Sequence, residues 1–165
     1  MKPKFPINLP SLTSNSQKAL TLADTKKLGE KQKGKIRYSI YEAFYLFEQK
    51  KADIFKKNKL TEEQIIREFT KKDKEFYKKY LIFRYLRKKG YIVKTGLKFG
   101  SDFRVYEKNS KHAKYLVFPV FKNKINIDEF ISKNRISHST AKKLLIAIVD
   151  SEDNLSFFES DWIKP

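Results

Sequence analysis

At Gly90 the spacing of apolar residues changes, and this change constrains the fold more than any other feature of the chain. From Asp73 to Lys89, the residues Phe76, Tyr77, Tyr80, Leu81, Phe83 and Leu86 recur at three and four, the period of one helical face. Arg87, Lys88 and Lys89 fill the last turn, where cations meet the negative end of the helix dipole, and Gly90 is the expected stop. After Gly90 the pattern becomes Tyr91, Ile92, Val93 and then Leu97, Phe99, Phe103 and Val105, spaced by two. The chain passes from helix to sheet at this point.

On either side the signals are shorter. Residues 1–34 mix Pro, Ser, Thr, Lys and Gly without strong periodicity and read as short strands or turns ending at Gly34. Ser39 and Glu42 have capping-box spacing ahead of Ile40, Ala43, Phe44 and Phe47, which predicts a helix over 40–51. Thr61 and Gln64 repeat the device before Ile65, Ile66 and Phe69. Strands are expected over 115–120, 144–149 and 155–162, with a helix across 127–133. The expected fold class is α+β: a helical N-terminal lobe with a small sheet over residues 1–70, and an α/β C-terminal lobe over 71–165 with a central mixed sheet flanked by helices.

Composition then narrows the function. The 165 residues carry 37 Lys and Arg against 19 Asp and Glu, a formal charge of +18, yet 40% of the residues are hydrophobic and 15% aromatic. The charge therefore sits on a folded body and calls for a polyanionic partner, with nucleic acid foremost. The absence of cysteine excludes a disulfide framework, a thiolate zinc site and a cysteine nucleophile, and suits a reducing, cytoplasmic setting. No run of 18 apolar residues exists, and no long helix combines a basic face with an apolar, Trp-anchored one, so no membrane partner is expected. Residues 71–98 hold 11 Lys or Arg against two acids, whereas 150–165 hold five acids against one Lys, so an acidic end could dock on another subunit's basic surface.

Three side chains stand out chemically. If Phe103 and Val105 point inward with Leu97 and Phe99, then Lys98, Asp102, Arg104 and Tyr106 share the opposite face, and Tyr106 projects from a strand end. His112 lies in the polar stretch Asn109 to Lys114, where an accessible imidazole can act as general acid or base. Lys142 and Lys143 precede the apolar run Leu144 to Val149, where an ammonium can meet a phosphate. Taken singly, each is more often an ordinary surface residue. His138 is expected in a turn between the predicted helix and strand.

Their joint pattern carries more. Lys98 to Tyr106 (KFGSDFRVY), His112 ahead of Tyr115-Leu116-Val117, and Arg135 to Lys143 (RISHSTAKK) resemble the archaeal tRNA-splicing endonucleases in order and context. The resemblance extends to Ser39 to Ala43 and Tyr85 to Tyr91, and so covers about residues 34–165. It implies a restriction-endonuclease-like nuclease lobe and cofactor-free cleavage of precursor tRNA at a bulge-helix-bulge, leaving 2′,3′-cyclic phosphate and 5′-hydroxyl ends. It places the catalytic tyrosine, histidine and lysine on Tyr106, His112 and Lys142, with no metal, and makes His138 structural. Arg135 matches one arginine of the family's clamp on a bulged nucleotide, and no arginine follows it to supply the second. Lys143 and Arg104 are further candidate RNA contacts. The loop Asp150 to Asn154, with Asp150, Glu152 and Asp153, matches an assembly loop that enters a neighbouring subunit's cleft, and Phe157, Phe158 and Trp162 offer an apolar dimer surface. The implied assembly is a homotetramer, or a heterotetramer with a structural subunit. Two alternatives remain at the sequence level. One is a metal-dependent DNA nuclease, for which Glu48-Gln49-Lys50 is the one Glu-x-Lys element and lies on a predicted helix of the other lobe. The other is a non-catalytic RNA-binding subunit.

Overall fold

The computed structural model describes residues 3–96 and 102–165, so the expectations for Leu97, Lys98, Phe99, Gly100 and Ser101 lie outside the described residues. The fold is α+β, and the chain divides into two compact units, Met1–Tyr77 and Lys78–Pro165. Among the described residues no helix is long and apolar enough to cross a membrane.

The first unit holds strands β1 (Phe5–Asn8) and β2 (Thr13–Ser14), helix α1 (Gln17–Lys26), strands β3 (Glu30–Gln32) and β4 (Lys35–Arg37), helix α2 (Ile40–Glu48), strand β5 (Ala52–Phe55) and helix α3 (Glu62–Lys72). Its sheet runs β3-β4-β2-β1-β5, with β1 and β5 parallel and in register from Phe5↔Ala52 to Asn8↔Phe55. Both capping boxes form as the spacing predicts, at Ser39/Glu42 and Thr61/Gln64. The Glu42 carboxylate is 3% exposed, and three donors satisfy it: the Gly29 N–H at 3.0 Å, the Ser39 N–H at 3.0 Å and the Ser39 hydroxyl at 3.1 Å. Gly29 adopts φ +80°, and a Cβ there would stand 2.3 Å from Ile36 Cγ2, so both backbone and space demand glycine. Beside it, Tyr38 is 3% exposed, and its hydroxyl finds no hydrogen-bond partner among the described residues. Burial, then the charge of Glu42, pushes that phenol well above its ordinary range.

Two elements of this unit depart from the sequence reading. Helix α1 lies in the stretch read as strands and turns, because only Ala19 and Ala23 bury and two alanines leave little apolar stripe to see. Its start is nonetheless marked by Ser16, whose side chain accepts from the Lys18 N–H. Helix α2 ends at Glu48 instead of 51, and the chain then enters β5, a four-residue parallel strand whose partner β1 is distant in sequence.

Helix α4 (Phe76–Lys88) contains the division between the units, and Gly90 follows it at φ +93°, as a C-terminal stop requires. The second unit continues with β6 (Ile92–Thr95), β7 (Phe103–Tyr106), β8 (Tyr115–Phe121), helix α5 (Ile127–Ser139), β9 (Lys143–Val149) and β10 (Leu155–Ser160). Its mixed sheet runs β10-β9-β8-β7-β6, with β8 and β9 parallel and every other pair antiparallel. Alternation gives the sheet two faces. One carries Phe118, Val120, Leu144 and Ile146, on which Phe130 of α5 packs. The other carries Phe103, Val105, Leu145 and Phe157 and receives α4, with the rings of Phe83 and Phe103 5.9 Å apart and those of Tyr85 and Phe157 4.9 Å apart. The β8-α5-β9 crossover sets the N-terminal ends of β8 and β9 side by side.

Candidate active site

The three side chains singled out in the sequence lie at one end of the second unit's sheet: Tyr106 ends β7, His112 lies in the loop before β8, and Lys142 immediately precedes β9. Val105 pairs with Tyr115, and Tyr115 with Lys143, so Tyr106 follows and Lys114 and Lys142 precede the last paired residues of three neighbouring strands. Two backbone bonds tie Lys114 in at this end: its N–H donates to Val105 O at 2.8 Å, and its carbonyl accepts the Lys143 N–H at 3.0 Å.

Tyr106 is the last residue of β7. Phe103 and Val105 are fully buried, so Arg104 and Tyr106 project from the other face and are half-buried. Arg104 donates its Nε–H to Thr95 O at 2.9 Å, and its guanidinium carbon lies 5.9 Å from the Tyr106 ring centroid. Asp102, one residue before β7, is paired with Lys79 at 2.7 Å.

His112 sits in the loop joining β7 to β8, two residues before Lys114, and is exposed. The loop is tied locally: Ser110 Oγ donates to His112 O at 2.8 Å, and the His112 N–H donates back to Ser110 Oγ at 3.3 Å. Only backbone atoms of His112 take part in these two bonds. Lys114 closes the loop's far side through an ion pair with Glu107 at 2.6 Å.

Lys142 follows the end of α5. Its N–H donates to Ser137 O at 2.8 Å and its ammonium to Thr140 O at 2.7 Å, so the cation rests at the helix C-terminus, where the dipole favours positive charge. Lys142 immediately precedes β9, while Leu144 and Ile146 lie on the sheet face that also carries Arg104. Lys143 stands on the opposite face, in an ion pair with Glu159 at 2.6 Å. The second carboxylate oxygen of Glu159 accepts the Tyr115 hydroxyl at 3.0 Å. Lys143 first, then Tyr115, hold the Glu159 carboxyl below its ordinary range, and Glu159 holds the Lys143 ammonium above its own. Sequence reasoning missed this network because Tyr115, Lys143 and Glu159 meet only once three strands are in register.

Arg135 lies exposed on α5, and His138 lies in the last turn of that helix, not in a turn beyond it. The helix runs to Ser139 because its buried positions past Lys133 are polar: Asn134 and Ser137 donate to Phe130 O and Lys133 O at 3.0 Å. Ser160 in turn donates to Asn134 Oδ1 at 2.9 Å. An apolar stripe cannot reveal such a face. The His138 ring meets Trp162 edge-on at 4.9 Å.

The acidic loop is the β9-β10 turn. Asp150 accepts the N–H of Glu152 at 2.8 Å, the N–H of Asn154 at 2.9 Å and the Asn154 side chain at 3.1 Å, so its carboxyl is held below the ordinary range, chiefly by Asn154. Asp150 is thus occupied in building the turn, while Glu152 and Asp153 are exposed on it. Among the described residues no three His, Asp or Glu side chains cluster in a way that could hold a metal ion.

The family model for the tRNA intron endonuclease, catalytic C-terminal domain, matches residues 76–157, the segment that contains Tyr106, His112 and Lys142. A tRNA-splicing endonuclease of Pyrococcus abyssi is 35% identical over 154 residues, covering 92% of this chain and 91% of its own. One from Nanoarchaeum equitans is 37% identical over 138 residues, covering 76% and 88%, and one from Methanothermobacter thermautotrophicus is 36% identical over 143 residues, covering 83% of each.

Proposed function

Since the chain belongs to the tRNA-splicing endonuclease family, we propose that it cuts intron-containing precursor tRNA at bulge-helix-bulge sites by metal-independent transesterification. The unit Lys78–Pro165 is then the catalytic lobe, of the restriction-endonuclease-like type. The observation that carries the reading is that Tyr106 ends β7, His112 lies in the loop leading to β8 and Lys142 immediately precedes β9, all at one end of the same sheet. A strand end of this kind offers a phenol, an imidazole and an ammonium to one phosphodiester.

Tyr106 takes the proton of the ribose 2′-hydroxyl, and the 2′-oxygen attacks the adjacent phosphorus in line with the 5′-oxygen. Lys142 meets the negative charge that grows on the non-bridging oxygens. His112 donates a proton to the departing 5′-oxygen, so the P–O5′ bond breaks to leave a 2′,3′-cyclic phosphate and a 5′-hydroxyl. A free phenol, with its proton lost near pH 10, is a poor base at neutral pH. Tyr106 acts by orientation as well, and the Arg104 guanidinium against its ring holds the phenol in place.

Arg135, exposed one helix away, takes a bulged nucleotide against its guanidinium plane, and Lys143 and Arg104 add contacts to the RNA. Glu152 and Asp153 on the β9-β10 turn engage a basic cleft of a neighbouring subunit. The open edge of β10, with Phe158 56% exposed and Trp162 38% exposed, pairs with a second copy, so that four subunits assemble. The enzyme works on its substrate in the cytoplasm.

The test is cleavage of a bulged RNA helix by the purified chain in EDTA, with the product ends read by mass spectrometry. Cyclic phosphate and 5′-hydroxyl ends are expected. Activity that needs a divalent ion and leaves 5′-phosphate ends supports a two-metal nuclease instead, and binding without turnover supports a non-catalytic subunit.

A further inference from the structure

Resting on the RNA-cleaving reading above, we propose that a groove on the opposite face of the same sheet end is a second RNA subsite, which takes one unpaired nucleotide by stacking its base on tyrosine rings. The groove has a volume of about 350 Å³ and lies between α4 and the strand ends. That is the low end of the range of small-ligand sites and suits a single nucleotide. Leu86 and Leu145 contribute its apolar lining.

The remaining lining is aromatic and cationic. Tyr85 stacks on Phe157 with centroids 4.9 Å apart and planes 25° apart, and Tyr91 meets Tyr115 edge-on at 6.5 Å and 75°. The lining cation sits over a ring, with the Lys89 ammonium 5.4 Å from the Tyr85 centroid, and beside the groove Lys114, paired with Glu107, lies 5.2 Å from the centroid of Tyr115. The Tyr115 ring is fixed by its bond to Glu159, whose charge Lys143 already balances. Tyr85 is 39% exposed, so part of its ring is open to a ligand.

Ring faces with ammonium groups on their rim are the means by which proteins hold single-stranded nucleic acid: the rings take any base and the cations take its phosphates. An apolar peptide would gain from the rings but would dehydrate the ammonium groups and phenols with nothing in return. A protein of charge +18 favours the polyanion. Position adds to chemistry, since Tyr115 of the groove pairs with Val105, the neighbour of Tyr106, and with Lys143, the neighbour of Lys142. The groove and the candidate site thus share a sheet end. A short stretch of unpaired RNA crossing that end places the scissile phosphate on one side and a flanking base on the other.

The test uses the whole protein and a bulged RNA helix carrying 5-iodouridine at one unpaired position at a time. Irradiation followed by peptide mapping should give an adduct on Tyr85, Tyr115 or Phe157 for one of those positions. Tyr85→Leu should weaken RNA binding roughly 5- to 100-fold with kcat within about two-fold of wild type, while Tyr85→Phe, which keeps the ring, should bind as wild type. Lys89→Met, on an exposed rim residue, should lower the slope of log Kd against log salt by about one. Absence of adducts together with normal affinity of Tyr85→Leu overturns the subsite. A change in native mass of Tyr85→Leu with RNA affinity intact also overturns it, because the groove then seats a second copy of the chain. Cleavage by the wild-type protein is read on the same RNA: adducts without cleavage keep the subsite and remove the nuclease reading, whereas cleavage without adducts does the reverse.

Discussion

Replacing Lys142 and Lys143 in turn separates two adjacent lysines that the sequence presents as equivalent. They are held differently: Lys142 precedes β9 with its ammonium on Thr140 O at the end of α5, and Lys143 opens β9 and is paired with Glu159. An ammonium about 4 Å from a growing unit negative charge contributes about 4 kcal/mol at an effective dielectric constant of 20. That is a factor of about 10³ in rate, so Lys142→Met should lower kcat by about 10²- to 10³-fold. The phosphodiester already carries one negative charge in the ground state, and only the added charge of the phosphorane enters the rate, so the loss should fall on kcat more than on RNA affinity. Lys143→Met breaks an exposed ion pair and should leave kcat within about three-fold. Single-turnover cleavage with enzyme in excess, alongside filter binding of the same RNA, reads both quantities. A large rate loss on Lys143→Met with little on Lys142→Met would refute the role given to Lys142.

Three further outcomes follow from the geometry. His112→Ala should lose about 10²- to 10⁴-fold in cleavage while binding RNA within a few-fold, and a substrate whose 5′-oxygen is replaced by sulfur, a better leaving group, should recover much of that loss; unchanged cleavage removes the role of His112. Tyr38→Phe deletes a buried hydroxyl that finds no hydrogen-bond partner among the described residues and should raise stability by about 1 kcal/mol in urea titration, whereas clear destabilisation would mean the hydroxyl is bonded. The Asp150 carboxyl is held below its ordinary 3.8, so its support of the β9-β10 turn is complete above that value and is lost as pH falls through the lower folded value. Protection of the Glu152 and Asn154 amides, taken as exchange relative to the intrinsic rate at each pH, should therefore fall only below about pH 4, and protection that stays constant from pH 6 to 2 contradicts this.

What the sequence discloses depends on whether a feature is local. The capping boxes at Ser39 and Thr61, the Gly90 stop and the alternation at Phe103 and Val105 concern residues within a few positions of each other, and each appears where the spacing puts it. Helix α1 and the end of α5 were hidden because their buried residues are alanines in one case and Asn134 and Ser137 in the other. Strand β5 was hidden because its partner β1 lies far away in sequence. The candidate site divides the same way. Tyr106, His112 and Lys142 are legible as a motif, but their common sheet end, the separation of Lys142 from Lys143, and the Tyr115–Glu159–Lys143 network need the register of β7, β8 and β9.

The most direct measurement is the structure of the protein bound to a bulged RNA whose cleavage-site ribose lacks the 2′-hydroxyl, so that the complex stays intact. The account predicts one phosphodiester with the Tyr106 hydroxyl beside the 2′ carbon, a His112 ring nitrogen beside the 5′-oxygen and the Lys142 ammonium on a non-bridging oxygen. A cleavable phosphodiester seated away from this sheet end, with the Tyr106, His112 and Lys142 side chains apart, would contradict it.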